Sequence, residues 1–171
     1  MKKLLVMVML FCSMCAVCFA KLEPPTDDRW VIVSPRYHDL DGWFDIESIK
    51  FGTSTEIGHS GHKAAKAWIM YNLYDKERTL IILNEFDFEC GTMRRLSLTS
   101  YDSSGDCVVS DSKQEIYGAP VIPNSNGEAF FKLFEGMSKM KKDAELYERF
   151  KKFMKDATIV YKEDYSKENM K

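Results

Sequence analysis

This 171-residue sequence predicts an α+β fold: a single domain in which an antiparallel β-sheet meander precedes a long C-terminal amphipathic helix. Three observations predict it. Short runs rich in β-branched and aromatic residues fill the middle of the chain and alternate apolar with polar positions, the period of a strand. The polar connections between them are too short for parallel crossovers, so neighbouring strands run antiparallel. After Pro123 the apolar positions recur at steps of three and four, the period of a helix.

The N-terminus reads as a secretion signal. Lys2 and Lys3 give a positive start, and Leu4 to Phe11 with Met14 to Phe19 form an uncharged apolar run. Cys18 and Ala20 are small residues at the third-last and last positions before a cut. The run of about 16 residues is shorter than the roughly 20 that span a membrane. Residues 1–20 are therefore assigned to the signal, 21–157 to the α+β domain with its helix, and 158–171 to a charged tail. Cys12, Cys15 and Cys18 repeat like metal ligands but lie inside the apolar signal. The tripeptides before them, MLF, CSM and CAV, do not fit a lipid-attachment site.

Removing Lys2 and Lys3 moves the formal net charge from −2 to −4, which leaves no overall nucleic-acid footprint. The mature chain keeps Cys90 and Cys107 alone among its cysteines, so its stability rests on a packed core rather than a disulfide framework. About 150 residues are enough for such a core.

Taken in order, Lys21 to Asp28 is a polar leader with Pro24 and Pro25. Trp30 to Val33 is a short β-prone run that Pro35 ends or places at an edge. Gly42 to Lys50 holds a second short strand or turn, and Gly52 to Gly61 is a Gly/Ser/Thr-rich loop. Ala67 to Tyr74 and Thr79 to Phe88 are strands across a polar turn at Asp75 to Arg78. In the second, Ile82, Asn84, Phe86 and Phe88 alternate with Leu83, Glu85, Asp87 and Glu89, which predicts one wet face. Arg95 to Tyr101 alternates again, and the turn Asp102 to Gly105 returns the chain through Cys107 to Ser110.

Ser125 and Glu128 form a capping box. From there Phe130, Leu133, Met137, Met140, Ala144, Tyr147 and Met154 trace one apolar stripe, predicting a single helix from about Asn126 to Asp156 with a possible bend at Gly136. Glu135 with Lys139, Glu145 with Arg149, and Glu148 with Lys152 are i,i+4 pairs in the better orientation. A helix of about 30 residues is roughly 45 Å long, longer than a domain of this size is wide. Its far end therefore overhangs the sheet or folds back. An overhang exposes Tyr147, Phe150, Phe153 and Met154 beside Arg149 and Lys152, a surface for a protein partner or a homodimer.

No spacing assembles a catalytic site, and no cofactor motif is present. His59 and His62 lack a Cys or acid at ligand spacing and read as a solvated loop. Asp39, Asp41 and Asp45 beside Gly42 hint at a calcium loop, but Gly42 follows Asp41 directly and the closure fails. Ser60 in GHSG does not make a nucleophile elbow. The lysines of the helix are interleaved with acids, as on an ordinary solvated face. Cys107 falls opposite about Ser100 across the Asp102 turn, and Cys90 lies about ten residues further along. At roughly 3.3 Å per residue that is about 30 Å, against the 7 Å reach of a bridge. A Cys90–Cys107 disulfide is therefore not expected unless the chain folds back sharply at Gly91.

The order of these features resembles the surface-adhesin protein E-like domain of bacterial envelope proteins. The matching residues are Trp30, then FDIESI (Phe44 to Ile49), Ala67-Trp68, FDFEC (Phe86 to Cys90), MRRLSLTSYDSSGD (Met93 to Asp106) and VIPNSNGE (Val121 to Glu128). They span about Trp30 to Phe134. The resemblance implies an antiparallel sheet with a C-terminal helix, no enzyme activity, and a binding role at the bacterial surface towards host matrix or serum proteins. The family pattern places a second Cys near the start of the last helix, whereas Ala129 to Phe134 here reads AFFKLF. Asp45 and Ser48 fall on motif positions and read as structural.

The sequence thus describes an exported binding module of the periplasm or cell surface. A periplasmic assembly partner docking through the helix and a carrier of a small apolar ligand remain the alternatives. N-terminal sequencing of the exported protein should begin at Lys21; retention of Met1 to Ala20 would support an uncleaved membrane anchor instead.

Overall fold

The computed structural model describes residues 23–37 and 40–169. The signal at Met1 to Ala20 and the residue Asp39 lie outside the described residues. The described residues form eight strands: β1 Trp30–Tyr37, β2 Leu40–Asp45, β3 Lys50–Thr53, β4 Lys63–Leu73, β5 Arg78–Asp87, β6 Thr92–Asp102, β7 Cys107–Asp111 and β8 Ala119–Pro120. Helices α1 (Asn126–Met140) and α2 (Ala144–Asn169) follow. The sheet order is β1-β2-β4-β5-β6-β7, with β3 also on β4 and β8 also on β6, every pairing antiparallel. This is the α+β architecture that the sequence predicts. Among the described residues no helix is long and apolar enough to cross a membrane.

β2 and β3 lie end to end along β4: Leu40 to Phe44 face Leu73 to Ile69, and Lys50 to Thr53 face Lys66 to Lys63. The FDIES segment makes the kink between them. Asp45 Oδ1 accepts the amides of Glu47 and Ser48 at 3.0 and 3.2 Å, and Arg29 pairs with its other oxygen. Ser48 Oγ accepts the Trp68 amide at 3.1 Å, satisfying β4 where the ladder is interrupted. Asp45 and Ser48 therefore hold backbone together. Asp41 is likewise committed, receiving the hydroxyls of Tyr74 and Tyr161.

One face of the sheet carries the core. Val31, Phe44, Ala65, Ala67, Ile69 and Phe86 meet Phe130, Phe134 and Met137 of α1. Phe44 and Phe86 both stand edge-on to Phe134, at centroid distances of 5.3 and 5.0 Å. Alanines at 65 and 67 leave the room into which these rings fit. Ser125 caps α1, its hydroxyl accepting the Glu128 amide at 3.2 Å. The Glu128 carboxylate reaches back to the Asn124 amide at 2.8 Å, one residue earlier than an ideal capping box.

The helical region departs from the single helix expected over Asn126 to Asp156. It breaks at 141–143, not at Gly136, because Asp143 starts a new helix: its Oδ1 accepts the Leu146 amide at 3.1 Å and its carbonyl the Tyr147 amide at 3.0 Å. The break removes the overhang. Tyr147, Phe150 and Met154 pack against the core cluster, and of the four expected apolar contacts Phe153 alone is well exposed, at 64 %. Residues 158–169 are not a frayed tail but the end of α2. Thr158 is buried and accepts the Ile32 amide of β1 at 3.1 Å. Beyond it Tyr161 packs edge-on to Trp43 at 5.7 Å, and Tyr165 is buried. Since Phe44 faces α1 and its neighbour Trp43 faces the other way, α2 crosses the β1 edge and ends on the opposite face of the sheet.

This packing separates two phenylalanines of similar sequence context. Phe134→Ala should cost about 3–5 kcal/mol in urea unfolding, and Phe153→Ala should stay within about 0.5 kcal/mol. Equal losses would contradict the helix placement.

Candidate metal centre and interaction surface

Period two puts Glu85 and Asp87 on the same face of β5, away from α1. The sequence predicts that face to be wet; it is buried instead, because residues 54–62, the β3–β4 connection, fold over it. Glu85 and Asp87 are 1 % and 2 % exposed. Each is compensated by a different end of that loop.

Glu85 anchors the start. It accepts the Thr55 amide and hydroxyl, the latter at 2.8 Å, and pairs with Arg94 at 2.8 Å and Lys66 at 3.1 Å. Burial acts to raise its pKa, but the Thr55, Arg94 and Lys66 hydrogen bonds outweigh it and hold the carboxyl below the ordinary glutamate range. Ser54 N donates to His62 O at 2.8 Å and closes the loop at its base. Glu56 fastens the far side, its Oε1 accepting the Gly118 amide at 2.9 Å. A side chain at 118 would lie 2.9 Å from Thr92 Cβ, so only glycine permits this approach.

Asp87 anchors the end of the loop. Its Oδ1 accepts the amides of Glu89 and Cys90, both at 3.0 Å, and shapes the β5–β6 turn. Its Oδ2 faces outward to His59 Nδ1 and His62 Nδ1, each at 3.1 Å. Burial again opposes ionisation, and the two amides and the His62 ring overcome it, so the carboxyl titrates lower than an ordinary aspartate. The tight turn from His59 to His62, closed by His62 N to His59 O at 3.1 Å, needs a positive φ, which Gly61 supplies at +94°. The turn stacks the two imidazoles at 5.0 Å. The β5–β6 turn brings Cys90 to the same place: Sγ is 3.4 Å from His62 Nδ1 and 3.8 Å from His59 Nε2. Desolvation, then the carboxylates of Asp87, Glu56 and Glu89, raise the thiol's pKa.

One ligand atom from each of His59, His62, Asp87 and Cys90 thus lies within 4.8 Å of the others. The reading of HSGH as a loop without an acid or Cys is corrected here, since both arrive from β5 and its turn some 25 residues away. The signal was present in the sequence as two half-motifs, H-x-x-H and D-x-x-C, each too short to stand alone. Ser60 remains a turn residue.

The other expected residues scatter. Arg149 and Lys152 are exposed on α2, and Phe153 points the same way, while Tyr147, Phe150 and Met154 do not contribute. Glu47 takes Lys155 at 3.0 Å and Lys151 at 3.6 Å, so the groove beside α2 is lined by charges of both signs. Cys107 pairs with Tyr101 at the far end of β6, and both it and Cys90 are free thiols. Missed altogether were Val108 and Val109 on β7 and Ile116, Tyr117 and Ile122 in the segments before and after β8, all exposed. No protein-family model, curated protein or solved structure matches this chain.

The Glu85 network has a measurable consequence. A carboxyl whose folded-state pKa is depressed contributes stability above its unfolded value, about 4.3 for glutamate, and loses it as pH falls through the folded-state value. Glu85→Gln should lower stability by about 3 kcal/mol at neutral pH by stranding Arg94. The gap between variant and wild type should narrow below about pH 4.3. A pH-independent gap in urea midpoints would contradict the ion-pair account.

Proposed function

We propose that the chain is exported and serves as a non-enzymatic, adhesin-like binding module at a bacterial cell envelope, with a host matrix or serum protein as partner. The charged-then-apolar N-terminus supports export, and the ordered resemblance from Trp30 to Phe134 supports the adhesin class. One structural observation carries the binding reading: the two edges of the sheet are treated differently.

β1 is covered by α2, with the Ile32 amide satisfied by Thr158. β7 pairs with β6 on one side and with no other strand among the described residues. Its residues CVVSD include neither the lysine nor the proline that usually blunts an edge. Val108 and Val109 are 47 % and 44 % exposed, and Ile116, Tyr117 and Ile122, in the chain that follows β7, are exposed as well. Such an edge accepts an extended partner segment, whose backbone continues the ladder while its side chains meet those of Val108 and Val109.

A second reading has its own observation. Leu146, Phe153 and Val160 are exposed at seven-residue spacing on α2, a line that returns to one side every two turns. It favours contact between the α2 helices of two copies. The carrier alternative needs space between sheet and helix, and Phe44, Phe86, Phe130 and Phe134 occupy that layer.

Residues 21–171 should bind saturably to at least one of a panel of immobilised matrix and serum proteins. A Val108→Lys/Val109→Lys double variant should bind at least tenfold more weakly while unfolding normally. Equal binding by wild type and variant, or none across the panel, would count against the edge. Sedimentation separates the second reading: a dimer dispersed by Phe153→Glu, with panel binding unchanged, assigns α2 to self-association.

A further inference from the structure

We propose that His59, His62, Asp87 and Cys90 form a closed tetrahedral site for a divalent transition-metal ion, with zinc the best fit to the donor set. The inference concerns a site distinct from the β7 edge and does not depend on how that edge is used.

The distances point to a shared centre. A tetrahedral zinc with bonds of about 2.0–2.3 Å sets its ligand atoms roughly 3.3–3.7 Å apart, since a tetrahedron's edge is about 1.6 times its centre-to-vertex distance. His62 Nδ1 lies 3.1 Å from Asp87 Oδ2 and 3.4 Å from Cys90 Sγ, Cys90 Sγ lies 3.8 Å from His59 Nε2, and one ligand atom from each of the four residues lies within 4.8 Å of the others. Four side chains from three segments are therefore gathered at one place, close enough for small rotations to close them on one ion. Two imidazoles and a thiolate are borderline-to-soft donors, and with a single hard carboxylate beside them the set suits zinc and disfavours calcium or magnesium, which take oxygen throughout.

The surroundings are those of a built site. Asp87 is divided by function: one oxygen is fixed by two amides, and the other is left to face the histidines. Nδ1 of His59 is buried, and its approaches to Asp87 and to Glu56 Oε2, 3.3 Å away, lack hydrogen-bond geometry. With its Nε2 turned to the Cys90 side, the ring can give one nitrogen to the ion and the other to a carboxylate, the usual second-layer arrangement around a metal-bound histidine. Glu56 is itself held by Gly118, so the loop, the β5–β6 turn and the segment before β8 converge on the site. Cys90 is exposed, so an ion has direct entry from solvent. Four protein donors leave a tetrahedral ion no open position for a reacting water, which makes this a holding site that would clip residues 54–62 to the sheet.

The test uses metal-stripped residues 21–171 titrated with Zn²⁺ against a chromophoric chelator, and with Co²⁺ followed by absorption. The expected result is one Zn²⁺ per chain, bound below micromolar, a thiolate-to-cobalt band in the near ultraviolet, and a raised thermal midpoint. Cys90→Ser should remove the cobalt band, and His62→Ala should weaken Zn²⁺ binding at least a hundredfold. Glu56→Gln should weaken it about 10–100-fold. Cys107→Ser, at the far end of β6, should leave all three readouts unchanged. No stoichiometric Zn²⁺ binding by the wild type would overturn the proposal. So would a cobalt spectrum that survives Cys90→Ser, with circular dichroism confirming that the variant is folded.

Discussion

Two carboxylates two residues apart on one strand set the terms for half of this molecule. Glu85 and Asp87 share the face of β5 opposite α1, and both are buried. An unpaired charge in that position costs several kcal/mol, so it persists only where partners are brought to it. The loop and strands around them supply those partners. Thr55, Lys66 and Arg94 converge on Glu85, and two backbone amides and two histidines converge on Asp87. The path of residues 54–62 follows from those requirements. Glycines 61 and 118 are where the path turns or is approached too closely for a side chain.

The opposite face is governed by a different constraint, the fit of aromatic rings over alanines, and the two faces are joined by α2. That helix begins over the core with Tyr147 and Phe150, passes the β1 edge at Thr158, and ends beneath Trp43 with Tyr161 and Tyr165. It closes the β1 edge of the sheet, whereas β7 pairs with no strand beyond β6 among the described residues. The asymmetry that supports a binding role is thus a consequence of where the last 26 residues of helix go.

The long strands β4 to β6, their antiparallel order and the α1 cap at Ser125 were legible from the sequence because each depends on neighbours within about ten residues, whereas the short β3, at the edge of a loop-like stretch, and β8 were not. What was not legible depends on pairs far apart. Asp143 looks like one more acid in a charged helix until its carboxylate is seen to cap Leu146. The same charged surroundings make Tyr161 and Tyr165 read as tail, although Tyr161 meets Asp41 and Trp43, some 120 residues earlier, and Tyr165 beside it is buried. Glu85 and Asp87 fit the wet positions of an alternating strand because periodicity reports which face a residue is on, not whether a loop returns to cover it. His59 and His62 lack a third ligand within their own segment, and only the β4–β5 register carries Asp87 and Cys90 to them.

These readings meet at one place, where the loop, the strand and the turn bring four side chains together. X-ray absorption at the zinc edge of the zinc-loaded chain, residues 21–171, tests that claim most directly. The account predicts a first shell of one sulfur at about 2.3 Å and three nitrogen or oxygen atoms at about 2.0–2.1 Å. A shell of nitrogen and oxygen alone, without sulfur, would contradict it.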